Sequence, residues 1–320
     1  MKNPSLKARE IIMVKKSLSL AIGLAILLSL IAITGCSGEV YDAPLFGPPP
    51  AVTEASSTPQ DDVDYELHLD GTSYSVSDAS TVSVDENGAL VLIKSGVYTV
   101  SGSRTGQIQI SISKEQRITL ILDGVDIHCE DSSAIYVKSA DRVYIEAKEG
   151  TVNRISDGAS YDLPPYETKP NAAIYSSEDL YIRGSGELIV TGSYNNGIGC
   201  KNDLTVGSCK LTVSAPNNAI KGNGSVTLTD HSTVTVNGCE DAIKSDSIDV
   251  DKGFVLIDGG ANVYISCLDD AIQGIQRVTV TSDAKVRYNC GGSAINCDGL
   301  DGTGGIVDIA DGSVVAGTAS

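Results

Sequence analysis

The sequence predicts an all-β chain, a right-handed parallel β-helix (solenoid) of roughly ten coils, and three observations carry that prediction. From about Tyr65 onward, runs of three to six residues rich in Val, Ile and Thr are broken by Gly, Asn and Asp, without a helical period. A small residue followed by Ile then recurs, in Ser133-Ala134-Ile135, Ala172-Ala173-Ile174, Asn196-Gly197-Ile198, Asn218-Ala219-Ile220, Asp241-Ala242-Ile243, Asp270-Ala271-Ile272 and Ser293-Ala294-Ile295. The isoleucines lie 39, 24, 22, 23, 29 and 23 residues apart. Finally, two more short strands follow within each unit, as in Asp203-Leu204-Thr205-Val206 and Lys210-Leu211-Thr212-Val213. Three strands in ~23 residues describe one coil, each strand hydrogen-bonding its equivalents above and below at ~4.8 Å. Sandwich strands do not repeat at constant period, and a propeller blade needs about 40 residues and four strands.

Composition agrees and excludes some functions. The chain has 320 residues, 41% of them hydrophobic, but no Trp and two Phe, so its core is aliphatic. That content is enough for a folded domain and excludes general disorder. The net charge is −18; the first 35 residues hold five Lys/Arg against Glu10 alone, leaving 18 bases against 40 acids, or −22, in the remainder. A surface of that sign repels phosphate backbones, so nucleic acid is excluded as a partner. It suits cations such as Ca²⁺, which take clustered carboxylate and carbonyl oxygens.

Residues 1–36 form a lipoprotein signal: Lys2, Lys7, Arg9, Lys15 and Lys16 precede an apolar run from Leu18 to Ile33, and Ile33-Thr34-Gly35-Cys36 sets Cys36 for lipidation. Translation starting at Met13 would leave the compact n-region Val14-Lys15-Lys16. The run is short for a ~20-residue membrane span, so the expected attachment is by lipid alone, at the outer face of the bacterial membrane. Residues 37–64, rich in Pro, Ser, Thr and acids, read as a disordered tether that lifts the domain at 65–320 off the membrane. Early coils are carried by Gly96-Val97-Tyr98-Thr99-Val100, Ile108-Gln109-Ile110 and Ile118-Thr119-Leu120-Ile121-Leu122.

The 39-residue interval holds an insertion from Ser156 to Pro170. Solenoid insertions project as loops and often build the binding face. Tyr161 and Tyr166 within it, and Tyr194 beyond it, could offer flat faces to sugar rings, or Tyr161 and Tyr166 could simply pack the loop against the helix. Just before the Ala-Ile or Gly-Ile anchors stand Asn195-Asn196, Asn217-Asn218, Glu240-Asp241 and Asp269-Asp270, which stacking puts in one corner column. Two carboxylates ~5 Å apart repel by about 3 kcal/mol at an effective dielectric of ~20. A calcium ion between coils would remove that cost at Glu240, Asp241, Asp269 and Asp270, while Asn196 and Asn218 fit either calcium or a ladder of stacked amides.

Lys221 and Lys244 directly follow two anchors, and Lys201 lies three places past a third. Such lysines suit acidic sugars. A base beside Ca²⁺ is also what a pectate-type lyase uses, with the cation acidifying the C5 proton and Lys244 or Lys221 removing it. Seven cysteines remain besides Cys36, an odd number that forbids complete internal pairing. Cys239, Cys267 and Cys290 are expected to stack as buried reduced thiols, and a disulfide between two of them is the alternative.

The lipobox and tether, Gly96 to Gly102, Leu122-Asp123-Gly124-Val125-Asp126-Ile127, Ile135 to Asp141, Asn195-Asn196-Gly197-Ile198 and Asp241-Ala242-Ile243-Lys244-Ser245-Asp246 together resemble the cellulose- and pectin-binding, polysaccharide-lyase-like β-helix family of carbohydrate-binding domain-containing proteins. The similarity spans about residues 80–320. It implies a right-handed β-helix with calcium between coils, surface display, and binding of cellulose and acidic plant polysaccharides. By position, the acid-Ala-Ile-Lys corner falls on Asp241 with Lys244, with Asp246 nearby as a further candidate ligand; at Asp270, Gln273 replaces the lysine, and Asn196 and Asn218 stand where acids would. The expected protein is a monomeric surface lipoprotein binding plant cell-wall polysaccharide through a calcium-loaded β-helix. The alternatives are a calcium-dependent polysaccharide lyase and a structural adhesin or spacer.

Overall fold

The alternation of Leu, Ile and Val with Thr, Lys and Tyr gives short strands with one apolar edge, and these can be buried only by curling the chain around them. The structure, a computed structural model, describes residues 64–163, 165, 169–300, 302 and 304–317; the signal segment, Cys36, nearly all of the tether and Tyr166 lie outside these. Among the described residues the chain is a parallel β-solenoid of about nine turns. One face is a ten-stranded sheet carrying the anchor isoleucines, which runs from Val82–Val84 through Ile135–Ser139, Ala172–Ser176, Asn196–Cys200, Ile220–Gly222, Ile243–Ser245 and Ile272–Gly274 to Ile295–Asn296. The isoleucines pair in register from Ile135 to Ile295, as the sequence spacing predicts.

The other two faces form a single 18-stranded sheet, because Gly96–Thr105 and Arg117–Cys129 are long enough to bend from one face to the next. The first bend needs Gly102, which has φ +87°; a Cβ there would lie 2.2 Å from the Leu69 carbonyl oxygen. At the N-terminal end Asp64–Gly71 and Leu90–Leu92 still pair parallel with the following coil, but each also takes an antiparallel neighbour. There Asp64–Gly71 pairs antiparallel with Ser73–Val76, and Val82–Val84 with Leu90–Leu92. The expectation of roughly ten coils agrees with the about nine turns observed. Residues 79–81 form a single 3₁₀ turn, and among the described residues no helix is long and apolar enough to cross a membrane.

The core consists of columns of like residues. Leu180, Leu204, Val226, Val255 and Val278 stack on one face and Leu188, Leu211, Val234, Val263 and Val286 on another, all at or near zero exposure. Each such side chain contributes about 1.5–3 kcal/mol by leaving water. The seven cysteines from Cys129 to Cys297 are all free thiols, five of them buried. Burial pushes the Cys200 and Cys209 thiols up to about 12.

Candidate functional site

In every coil from Ile135 onward the residue before the anchor isoleucine is Ala or Gly, because the chain turns there against its neighbours. The residue two places before each isoleucine therefore stacks in a corner column: Asn196, Asn218, Asp241, Asp270 and Ser293. The residue before that forms an outer column held by backbone bonds, from Asn217 N to Asn195 O at 2.9 Å, Glu240 N to Asn217 O at 2.9 Å, Asp269 N to Glu240 O at 2.9 Å and Gly292 N to Asp269 O at 3.0 Å.

The corner has two chemistries. In its earlier half, Asn218 Nδ2 donates to Asn196 Oδ1 at 2.8 Å, Asn196 Nδ2 to the Asn171 carbonyl at 3.2 Å, and Asn217 Nδ2 to Asn195 Oδ1 at 2.8 Å. This is an amide ladder. In the later half, Asp241, Asp269 and Asp270 each bring a carboxylate oxygen to within 4.8 Å of the other two. Asp241 and Asp270 are buried, whereas Asp269 and Glu240 open to solvent. Asp241 Oδ1 accepts from Asp270 N at 3.2 Å and its Oδ2 from Lys244 Nζ at 3.0 Å, while Asp270 accepts from Ser293 N at 2.7 Å and Asn296 Nδ2 at 2.5 Å. Gly292 leaves room for the cluster, since a Cβ there would lie 2.3 Å from Asp269 Oδ1 and 2.7 Å from Asp270 Oδ1.

The donor set fits a hard cation. Three carboxylates share one lysine, and Asn218 Oδ1, one coil earlier, is buried without a hydrogen-bond partner. Charges at this spacing repel by about 3 kcal/mol per pair at an effective dielectric of ~20, and an ion taking six to eight oxygens reverses the sign. Asp246 is placed differently. It lies at the far end of its coil's anchor strand, where its Oδ2 accepts from Lys221 Nζ at 2.6 Å, and not with the three aspartates.

Outward-facing positions one residue past the isoleucines hold Tyr175, Gly199, Lys221, Lys244 and Gln273 in consecutive coils. Gly199 makes a gap in that row. Beside it opens a pocket of about 430 Å³ lined by Lys169, Asn171, Tyr175, Gly199, Lys201 and Lys221, among others. Lys201 and Lys221 were legible from sequence as sugar-binding candidates; Lys169, Asn171 and Tyr175 were not. Reading the residue after each isoleucine down the coils would have shown the gap, but not the loop that brings Lys169 to it.

Tyr161 and Tyr194 meet each other. Their rings stack with centroids 4.2 Å apart and planes 14° from parallel, and Tyr161 Oη donates to Asp157 Oδ2 at 2.5 Å and to the Ala172 carbonyl at 2.9 Å. Asp157, 2% exposed, also accepts from Ser193 N, and burial holds its carboxyl above the usual range. The stacked faces tie the insertion to the solenoid.

A model of the family described as carbohydrate-binding domain-containing protein matches residues 79–293, two thirds of the chain. The chain belongs to this family. A carbohydrate-binding domain-containing protein of Acetivibrio thermocellus is 35% identical over 278 residues, 86% of this chain and 92% of that protein. Among solved structures, the polysaccharide lyase-like protein from C. thermocellum, studied as a gadolinium derivative, shares 35% identity at a TM-score of 0.72, covering 79% of this chain and all of that one. This carbohydrate-binding domain thus has a polysaccharide lyase-like fold, with the aspartate corner and the lysine pocket both inside the matched region.

Proposed function

We propose that this protein is a lipid-anchored surface protein whose solenoid binds plant cell-wall polysaccharide, with calcium held between coils at Asp241, Asp269 and Asp270. The observation that carries the reading is the convergence of those carboxylates within 4.8 Å at a corner where Asp269 opens to solvent. An ion there keeps coordination positions for an outside oxygen. The uronate carboxylates of a pectic chain are suitable ligands, and a calcium bridge overcomes the repulsion between a polyanion and a protein of charge −18. The unpartnered Asn218 Oδ1, one coil earlier, is a further candidate oxygen, whereas the exposed Glu240 stands outside the group of three carboxylates.

Lys244 beside the aspartates gives the lyase alternative its one specific support. Its ammonium, however, is engaged by Asp241 at 3.0 Å, and that of Lys221 by Asp246 at 2.6 Å, so both act as charge partners in this arrangement. Binding without turnover is the reading adopted. Titration of polygalacturonate into the full chain is expected to show at least tenfold tighter binding with Ca²⁺ than with EDTA, and Asp241→Asn/Asp270→Asn should abolish the difference. Equal affinity in both buffers would reject the calcium bridge. Growth of an ultraviolet-absorbing unsaturated product that stops in Lys244→Ala would establish the lyase instead.

A further inference from the structure

Gly199 lies on a strand without a left-handed φ, so its backbone does not require glycine, and the space around it is tight. A Cβ at this position, which lines the 430 Å³ pocket, would come 3.1 Å from Ala172 Cβ and 3.2 Å from Tyr175 Cδ2. That volume suits a sugar residue with its neighbours.

The lining is unlike the rest of this acidic surface. Lys169, Lys201 and Lys221 converge on it, and Lys169 Nζ sits 5.5 Å from the centroid of the Tyr175 ring. Among the described residues no ion pair joins Lys169 or Lys201 to a carboxylate; Asp246 pairs with Lys221 and its field also reaches Lys169, so three ammonium groups share this carboxylate. Burial, then the nearby Lys221 ammonium, pull Lys169 below the ordinary lysine range, and the Asp246 carboxylate offsets part of this. Asn171 supplies an independent sign of a missing ligand. It is 8% exposed, lines the pocket, and its Oδ1 has no hydrogen-bond partner, although a buried acceptor left unpaired costs about 1–3 kcal/mol.

We propose that this pocket is a calcium-independent subsite for one uronic acid residue of an acidic glycan. Lys169, Lys201 and Lys221 receive the carboxylate, Tyr175 borders the apolar side of the ring, and Asn171 Oδ1 accepts from a ring hydroxyl. The inference rests on the reading of the ligand as an acidic polysaccharide, but not on the calcium. Gly199 precedes the coils of Asp241 and Asp270 by two and three turns, on the order of 10–14 Å at ~4.8 Å per coil. A glycan laid along the solenoid therefore reaches both sites.

The test is calorimetric titration of trigalacturonate into the full chain in EDTA at low salt. Saturable binding is expected, weakened at least tenfold in Lys169→Gln/Lys201→Gln and at least tenfold when the trimer is methyl-esterified, with Lys148→Gln/Lys285→Gln, a charge-matched change elsewhere, leaving it as in the wild type. Unchanged melting of the pocket variant confirms that it is folded. Binding that appears only with calcium would overturn the subsite and leave the polysaccharide reading standing. Equal binding by the pocket variant, or by the methyl ester, would overturn the assignment to these lysines. Failure to bind the trimer, polygalacturonate or cellulose in either buffer would remove both.

Discussion

Along the corner that precedes the anchor strands, the coils at Asn196 and Asn218 and the coils at Asp241 and Asp270 share register, backbone bonding and a small residue before isoleucine, yet they meet their polar needs in opposite ways. An amide carries both a donor and an acceptor, so an asparagine can donate to the coil before it, as Asn218 does to Asn196 at 2.8 Å. A carboxylate only accepts. Stacked aspartates must therefore draw on backbone N–H groups and on other side chains, and Asp241 and Asp270 do so from Asp270 N, Ser293 N, Lys244 and Asn296. The asparagine coils complete most of their bonding internally, whereas the aspartate coils retain excess negative charge and so retain a use for a cation. One residue type in a fixed frame thus separates a structural corner from a candidate binding corner.

Calcium should break this comparison most visibly. With the ion at about 100 times its dissociation constant, the stabilisation is about 2.7 kcal/mol, or roughly 5–10 °C in a domain of this size. Scanning calorimetry of the wild type should show that shift on going from EDTA to Ca²⁺, and Asp241→Asn/Asp270→Asn should show none. In the asparagine half, Asn196→Ala strands the Asn218 amide and backbone N–H, which both donate to Asn196 Oδ1. Denaturant unfolding should register a loss of about 1–3 kcal/mol, the same with or without calcium.

Asn218→Asp would extend the aspartate chemistry one coil into the ladder. It replaces the donor on Asn196 with a second acceptor beside Asp241, and should cost about 2 kcal/mol in EDTA, partly recovered in Ca²⁺. Equal losses in both buffers would mean that the ion does not reach that coil. The smallest effect concerns the thiols in the asparagine coils. Cys200 and Cys209, raised by burial from 9.0 to about 12, stay protonated in the fold where the unfolded chain has begun to ionise. Their contribution to stability is complete below about pH 9 and declines as pH rises toward about 12. At pH 8 both should resist a thiol reagent that labels the partly exposed Cys290 and Cys297.

Much of this was legible in the sequence because a solenoid is nearly one-dimensional. Once Ile135, Ile174, Ile198 and their successors are aligned, parallel pairing makes aligned residues neighbours in space, so the columns of Asn218, Asp241 and Asp270 follow from counting. Counting fails where the chain leaves the repeat. Tyr161 could have faced sugar or solenoid, and the structure stacks it on Tyr194 with its hydroxyl on Asp157. Asp246, three residues past Ile243, reads as one more acid near the corner, but a strand of that length carries it to the opposite end, where Lys221 of the previous coil meets it.

The sequence by itself determined the solenoid, its aliphatic columns and the change from amide to carboxylate along one corner. All three depend on a period, and the period sets which residues hydrogen-bond one coil apart. The tertiary structure alone decided that the first strands turn back as hairpins, that three carboxylates converge within 4.8 Å, and that Lys169 returns from the insertion to stand over Tyr175 beside the gap at Gly199. Those outcomes depend on side-chain direction and on loops that carry no repeat, and only packing against the finished coils fixes either.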